Sequence, residues 1–482
     1  MNKSMPQWTY NRLITNMKRW SFSSKMSKAC TASMKLLNPK AKDPSILRMM
    51  VLPHEIETYT MLAIKEKEWQ SSETTEHEFA KSIDAIRAFR HPKLFSQKGI
   101  SFGKWLVMLI KATQFDFQFN EIFRINRYYE YFDYKDENID MSVEIKKKFG
   151  ISYSDIAGPI ILLWMHLSGE IQLSDNQKKW LIMNYRKTFD ILTLTRDEYI
   201  NELDDITPNK EDYVYCLRPS YSWPLIRYED HIYLPTPHLL VRAVTVSLMH
   251  RLTFQNISLR EKIGKYVLES YLYRLICGSD EFQEKLPEQE YAPGKRTLDV
   301  LTRVDDSIIC FDSKSCAPQI GIRTFDPEAY RRTKDKIVKG FVQAYKHIRY
   351  KYGKEYTFFT VPVKQDRSNI YAVVVLADNP FCPLDEIHEE AATQLGLQIP
   401  SDEYDWLRGH VGIADIDAIE TQVLQKKNFL EAISENARTK QYSDYWFLQG
   451  KITNDEKKTE YMEDNVTALL MSVIKEMDYN VV

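Results

Sequence analysis

The chain has 482 residues, of which 44% are hydrophobic and 27% charged. At about 150 residues per domain this is too long for one small binding module, and the composition excludes a disordered acidic chain or a fibrous repeat. Lys plus Arg (65) and Asp plus Glu (67) nearly cancel to a net charge of -2, so any footprint on nucleic acid has to be local.

Residues 1–42 carry nine basic side chains and no acidic one, and residues 1–43 are expected to form a basic N-terminal arm. Trp8, Tyr10, Trp20 and Phe22 are interleaved there as further contacts to nucleic acid. A mitochondrial transit peptide shares this charge bias but favours Arg over Lys, so a cytoplasmic protein is preferred and a mitochondrial one is the alternative. Residues 44–204 show mostly helical periodicity, as in Phe102–Ile110 and Gln177–Leu194, and are expected to be a helical domain. Its apolar run Ile156–Leu167 spans about a dozen residues and includes Pro159, against the ~20 a membrane span needs. A buried helix and no membrane association are predicted.

The turn-rich Asp204–Asp212 ends this domain. Residues 213–257 then read as a bridge, a hairpin over Pro224–Pro235 followed by a helix over His238–Leu252. Further on, a helix over Leu259–Cys277 precedes strands near 283–291, 297–304 and 307–314. A helix over 328–351 and a strand over 356–363 follow, which gives the order αβββαβ within 258–380. Ile370–Leu376 is a further strand, and 381–482 is expected to be a mostly helical extension, with the polar Asn454–Glu463 as a connection. The fold class expected is mixed α+β: a helical N-terminal half, a mixed sheet flanked by helices, and a helical tail. Six cysteines, at 30, 216, 277, 310, 316 and 382, are too scattered for zinc and too few for a disulfide framework, in keeping with a reducing compartment.

The chemistry is concentrated in Thr297–Lys314. If Asp305 and Asp306 form a two-residue hairpin turn, paired residue numbers sum to 611 and Asp299 faces Asp312. Two opposed carboxylates are destabilising unless positive charge lies between them, and a divalent cation would supply it. Side chains alternate along a strand, so Lys314 shares the face of Asp312. The continuous apolar run Ile308–Phe311 is typical of a strand buried on both faces, which makes the charged Asp312-Ser-Lys314 at its end an emergence into a cleft. The turn lacks the glycine usual in such hairpins.

These residues resemble the PD-(D/E)XK, or restriction-endonuclease-like, phosphodiesterase superfamily. Asp299 and Asp312-Ser-Lys314 match its signature, with Leu298 where the name-giving Pro would stand, and the resemblance covers roughly residues 258–376. It implies an αβββαβ core and a Glu from the preceding helix, for which Glu269 stands ahead of Glu261, Glu288 and Glu290. Mg²⁺ or Mn²⁺ would be held by Glu269, Asp299, Asp312 and the Ser313 backbone carbonyl, since oxygen-only ligands suit these ions rather than zinc. Lys314 would act on the attacking water. Gln343 on the next helix looks like a Gln that several branches carry near the active site.

That helix has an apolar stripe, Ile337, Phe341, Ala344 and Ile348, and a cationic one, Arg332, Lys336, Lys339, Gln343 and Lys346. Nine basic residues and one acidic one lie within 331–354. The stripe is expected to track a phosphate backbone, with Tyr345 and Tyr350 for stacking. The expectation is a metal-dependent nuclease, on DNA rather than RNA because most of the family acts on DNA, whose helical half recognises a substrate or partner. A nuclease-fold binding module without activity is one competing expectation. A nuclease subunit of a multiprotein system, such as anti-phage defence or a mobile element, is the other, and a partner protein or homo-oligomer is compatible with each. The absence of a Gly-rich phosphate loop leaves any ATP-driven step to a separate partner.

Overall fold

The computed structural model describes residues 5–37, 51–88, 121–206, 213–214, 218–315, 322, 326–351, 355–356, 358–361, 363–364, 367–377, 382–424, 429–439 and 460–480. The expected helix over Phe102–Ile110 and the turn at Pro208 and Asn209 lie outside them.

Helices α1 (Met5–Arg19) and α2 (Phe22–Leu36) occupy the segment expected to be a basic arm. Leu13, Met17, Phe22, Met26 and Ala29 recur three to five residues apart, and all are buried in a core shared with α3 (Pro53–Lys65) and α4 (Glu76–Arg87). Lys25 is buried as well, with its ammonium on Glu68 and on the Met17 carbonyl at 2.9 Å. The arm is thus corrected to a packed helical pair. Trp20 and Phe22 are core residues that a nucleic acid cannot reach; counting charge alone hid this apolar spacing.

The helical half continues through α5 (Glu121–Asp133), α6 (Met141–Phe149), α7 (Tyr153–Ser168), α8 (Asp175–Asn184) and α9 (Arg186–Ile191). Helix α7 contains the apolar run Ile156–Leu167 and is buried over most of its length. Ser152 caps its first turn and Gly169, at φ +86°, closes it in the left-handed conformation that favours glycine. Strand β1 (Thr193–Thr195) and α10 (Arg196–Ile206) lead to the expected hairpin, β2 (Leu225–Tyr228) and β3 (His231–Tyr233). The bridging helix breaks at Thr245 into α11 (Leu240–Val244) and α12 (Val246–Thr253).

Helix α13 then runs in three segments, α-helical Ile257–Lys262, π-helical Ile263–Leu268 and α-helical Glu269–Cys277. The main sheet begins with β4 (Glu284–Pro287). A small side hairpin, β5 (Glu290–Ala292) with β6 (Lys295–Arg296), separates it from β7 (Val300–Val304) and β8 (Ser307–Lys314). After α14 (Pro327–Lys351) the segment expected as a strand over 356–363 holds only β9 (Glu355–Tyr356) and β10 (Val363–Lys364), which pair with each other. The strand that returns to the sheet is β11 (Ile370–Leu376), buried at every residue and parallel to β8. Only its uninterrupted apolar run can fill a strand covered on both faces.

Residues 382–480 supply α15 (Leu384–Gln394), α16 (Asp402–His410), β12 (Val411–Asp415), α17 (Ile416–Leu424), α18 (Phe429–Thr439) and α19 (Glu460–Asn480). The sheet has the order β12-β11-β8-β7-β4, so the segment expected to be mostly helical also contributes its fifth strand, in parallel with β11. Strand β12 is short and interrupted by Gly412, which gives too little alternation for a sequence signal. The protein is therefore mixed α+β. One sheet face, with Ile308, Cys310 and Leu301, packs under α14 and α15. The other, with Ile309, Phe311 and Val300, shares a core with α5, α7, α13 and α19, so residues 121–192 pack against the sheet, whereas Tyr199 and Leu203 of α10 belong to the core of α1–α4. No described helix is long and apolar enough to cross a membrane.

Candidate functional site

The β7–β8 hairpin has the register expected from its sequence. Val304 pairs with Ser307 and Val300 with Phe311, numbers that sum to 611, so Asp299 stands one step beyond, facing Asp312. Asp305 takes φ +51°, supplying the left-handed residue that a glycine would otherwise provide. Gln283 clamps this turn: its amide donates to Asp305 Oδ1 at 2.9 Å, and its carbonyl oxygen accepts from Asp305 N–H at 2.6 Å. The clamp comes from a residue distant in sequence, which is why the turn forms without glycine.

At the open end of the hairpin Asp299 Oδ2 accepts two hydrogen bonds from Ser313, from N–H at 2.6 Å and from Oγ at 2.7 Å. Asp312 is fully buried, and its Oδ2 meets the Lys314 ammonium at 2.7 Å. Its Oδ1 has no hydrogen-bond partner among the described residues. Backbone groups alternate sides along a strand, and Lys314 C=O bonds to β11. Ser313 N–H and C=O therefore leave β8 on the Asp299 side.

Glu269 begins the last segment of α13, just after the π turn. Such turns displace the following side chains from regular helical positions and recur at functional sites. A Cβ on Gly264 would meet Ser315 Oγ at 2.7 Å, so only a glycine lets α13 lie this close to the end of β8. Burial, then the Asp299 and Glu288 charges, push the Glu269 carboxyl up to about 8. Burial likewise pushes Asp312 up to about 7, with Lys314 opposing and Asp299 adding to the shift. Asp299 is raised by burial, against the pull of Lys314 and of its Ser313 hydrogen bonds. Three carboxyls thus share one region with too little positive charge, and Glu288 acts on all three.

Helix α14 closes the site from the other side. A Cβ on Gly340 would lie 3.3 Å from Lys314 Cε and 3.1 Å from Val374 Cγ1, so Gly340 makes room for the Lys314 stem. Ile337, Phe341, Ala344 and Ile348 are buried as their stripe requires, and Arg332, Lys336, Lys339, Gln343 and Lys346 are exposed. Arg332 is engaged by Glu328 at 2.8 Å, whereas Lys336, Lys339 and Lys346 form no ion pair among the described residues. Tyr345 was expected to stack on bases and is instead fully buried, with its hydroxyl against His388 Nδ1 at 2.5 Å. It lies 100° from Ala344 on the apolar side of the helix, where α15 covers it. The side chain of Tyr350 lies outside the described residues.

The donor set is all oxygen, as suits Mg²⁺ or Mn²⁺. The buried Asp312 Oδ1 and the raised carboxyls are what a bound cation would relieve. Among the described residues no three Asp, Glu, His or Cys side chains are gathered closely enough to hold a metal as they stand. Sequence reasoning weighed Glu288 only as a substitute for Glu269, took Ser313 for its carbonyl alone, and passed over Gly340 and Gln283. An isolated Gly inside a strong helical pattern is itself a signal of close packing, and it would have found Gly340. The four described cysteines are unbridged. No protein-family model, no curated protein and no solved structure matches this chain.

Proposed function

We propose that the chain is a metal-dependent phosphodiesterase, a nuclease of the PD-(D/E)XK type with DNA as its preferred substrate. The observation that carries this reading is the buried Asp312 with one oxygen on Lys314 and the other without a partner, facing Asp299 at the open end of a sheet hairpin. An unpaired buried carboxylate oxygen costs stability and is retained where a ligand uses it. Asp299, Asp312, Glu269 and the Ser313 carbonyl would hold Mg²⁺ or Mn²⁺. When bound, such an ion neutralises phosphoryl oxygens and lowers the pKa of its water.

The chain's own residues account for the rest. Ser313 fixes the orientation of Asp299. Lys314, a quarter exposed and beside Asp312, is positioned to hold the attacking water and to place positive charge against the transition state. Gln343 stands three residues beyond Gly340 on the exposed face, and Lys336, Lys339 and Lys346, in no ion pair among the described residues, offer their ammonium groups to a phosphate backbone.

The test is incubation with labelled single- and double-stranded DNA and RNA in Mg²⁺, with and without chelator. Chelator-sensitive cleavage that is lost in Asp312→Ala and Lys314→Ala is the expected result, and cleavage surviving both substitutions overturns it. A second reading, a nuclease-fold binding module without activity, is favoured by the absence of a gathered metal-ligand set among the described residues. Retained nucleic-acid binding without metal binding or cleavage would select it.

A further inference from the structure

A second cluster of charge lies where α11, α12 and the start of α13 meet α5 and α6. Arg124 on α5 is only 5% exposed, its Nε has no hydrogen-bond partner, and it forms no ion pair among the described residues. Burial and the neighbouring Arg242 both disfavour its charge, and Asp417, the acid that opposes them, is already held by Arg127. The Arg242 guanidinium lies 4.4 Å over the Tyr221 ring and repels His250, as does Arg260. Arg251 lies over Trp223 at 4.9 Å and over Phe149 at 5.4 Å, and donates only a long bond to the Ser222 carbonyl at 3.5 Å. Among the described residues no carboxylate balances it, and burial pushes its pKa down to about 10.

Withdrawing the Arg124 and Arg251 guanidinium groups from water without an acid is unfavourable, and the ring faces against Arg251 offset only part of that cost. Each guanidinium has five donors in a rigid fork that matches the oxygens of a phosphate. Among the described residues most of those donors are unused at Arg124, Arg251 and Arg260, the last of which makes one bond, to the Thr253 carbonyl at 3.3 Å. Rings interleaved with arginines are also the surroundings in which bases stack.

We propose that Arg124, Arg242, His250, Arg251 and Arg260 form a binding site for a phosphate group, carried by a free nucleotide or by a nucleic-acid strand. It is distinct from the carboxylate site: on α13 Arg260 and Glu269 stand nine residues apart, roughly 13 Å along the axis at about 1.5 Å per residue. It therefore stands or falls independently of the nuclease reading.

The experiment titrates the full chain, in chelator so that the carboxylate site takes no metal, with pyrophosphate, ATP and a 5′-phosphorylated single-stranded oligonucleotide. Saturable binding that weakens with salt is expected. Arg251→Gln should weaken it by about tenfold or more, the loss of one or two charged hydrogen bonds. Arg260→Gln with His250→Gln, both at exposed positions, should weaken it while leaving the melting temperature unchanged, which decides the matter if Arg251→Gln folds poorly. Asp312→Ala should bind as the parent does. ATP competing with pyrophosphate more strongly than the oligonucleotide does identifies a free nucleotide, and the reverse order identifies a strand. No saturable binding of any probe, or equal binding by the Arg260→Gln/His250→Gln protein, overturns the proposal.

Discussion

Asp299 Oδ2 receives both the backbone N–H and the hydroxyl of Ser313, at 2.6 and 2.7 Å. The residue between the two site positions of β8 is therefore what aims the carboxylate on β7. Ser313→Ala removes one of these donors and leaves the other. A hydrogen bond to a charged group contributes about 1.5–3 kcal/mol, so a destabilisation of roughly 1–2 kcal/mol in urea unfolding is expected. Cleavage should fall by about tenfold as Asp299 loses its fixed orientation. Cleavage and stability both unchanged would show that the hydroxyl does not position Asp299.

Gly340→Ala separates stability from function. Alanine gains about 1 kcal/mol of helix propensity over glycine, but the new methyl would crowd Val374, which sits immobile in a central strand, and the Lys314 stem. Overpacking costs about 1–3 kcal/mol, so net stability should fall by only about 1 kcal/mol. Because Lys314 is the movable neighbour, cleavage should drop by tenfold or more at saturating Mg²⁺. Equal activity in the variant would remove Lys314 from the chemistry.

The raised carboxyls predict how pH and metal act together. Asp312 at about 7 and Glu269 at about 8 titrate above their unfolded values, so the folded chain keeps protons that the unfolded chain has released. Their contribution to stability is complete below the unfolded pKa, near 4, and is lost as the pH rises through about 7 and 8. In chelator the melting temperature should fall over that range, and less steeply in Glu269→Gln. Mg²⁺ binds the ionised carboxylates, so the stabilisation it gives should be larger at about pH 8.5 than at about pH 6. A Mg²⁺ effect that is absent, or equal at both values, would count against a cation at this site.

The parts of this molecule legible in its sequence are those with a short-range cause. The hairpin register followed from two acidic turn residues, and the buried and exposed stripes of α14 from helical spacing. The return strand was misplaced because Thr357–Pro362 resembles a strand in composition, whereas only Ile370–Leu376 is apolar enough for burial on both faces. Residues 5–36 were read by charge while their apolar spacing determines that they pack. Glu288, just past one end of β4, acts on the site carboxyls, Gln283, just before its other end, clamps the hairpin turn, and Tyr345 is covered by α15; all three depend on which distant element lies alongside, which spacing does not encode.

The α5–α17 contact carries the last test. Arg127, 2% exposed, makes a bidentate pair with Glu420 at 2.8 and 2.9 Å and also reaches Asp417. Tyr271, two residues after Glu269, donates to the same Glu420 at 2.6 Å. Removing one partner of a buried ion pair strands the other charge and costs about 3–5 kcal/mol, whereas replacing both by apolar groups of similar volume is often close to neutral. Arg127→Met should therefore lower stability by that amount, and Arg127→Met with Glu420→Leu by distinctly less, both measured by urea unfolding. Because Tyr271 loses its acceptor in the double variant, the α13 segment that bears Glu269 should loosen there. That loosening should appear as faster amide exchange over residues 269–277 while the sheet strands β8 and β11 stay protected. Unaltered exchange in α13 would show that packing against the shared core, and not this polar contact, holds Glu269 in place.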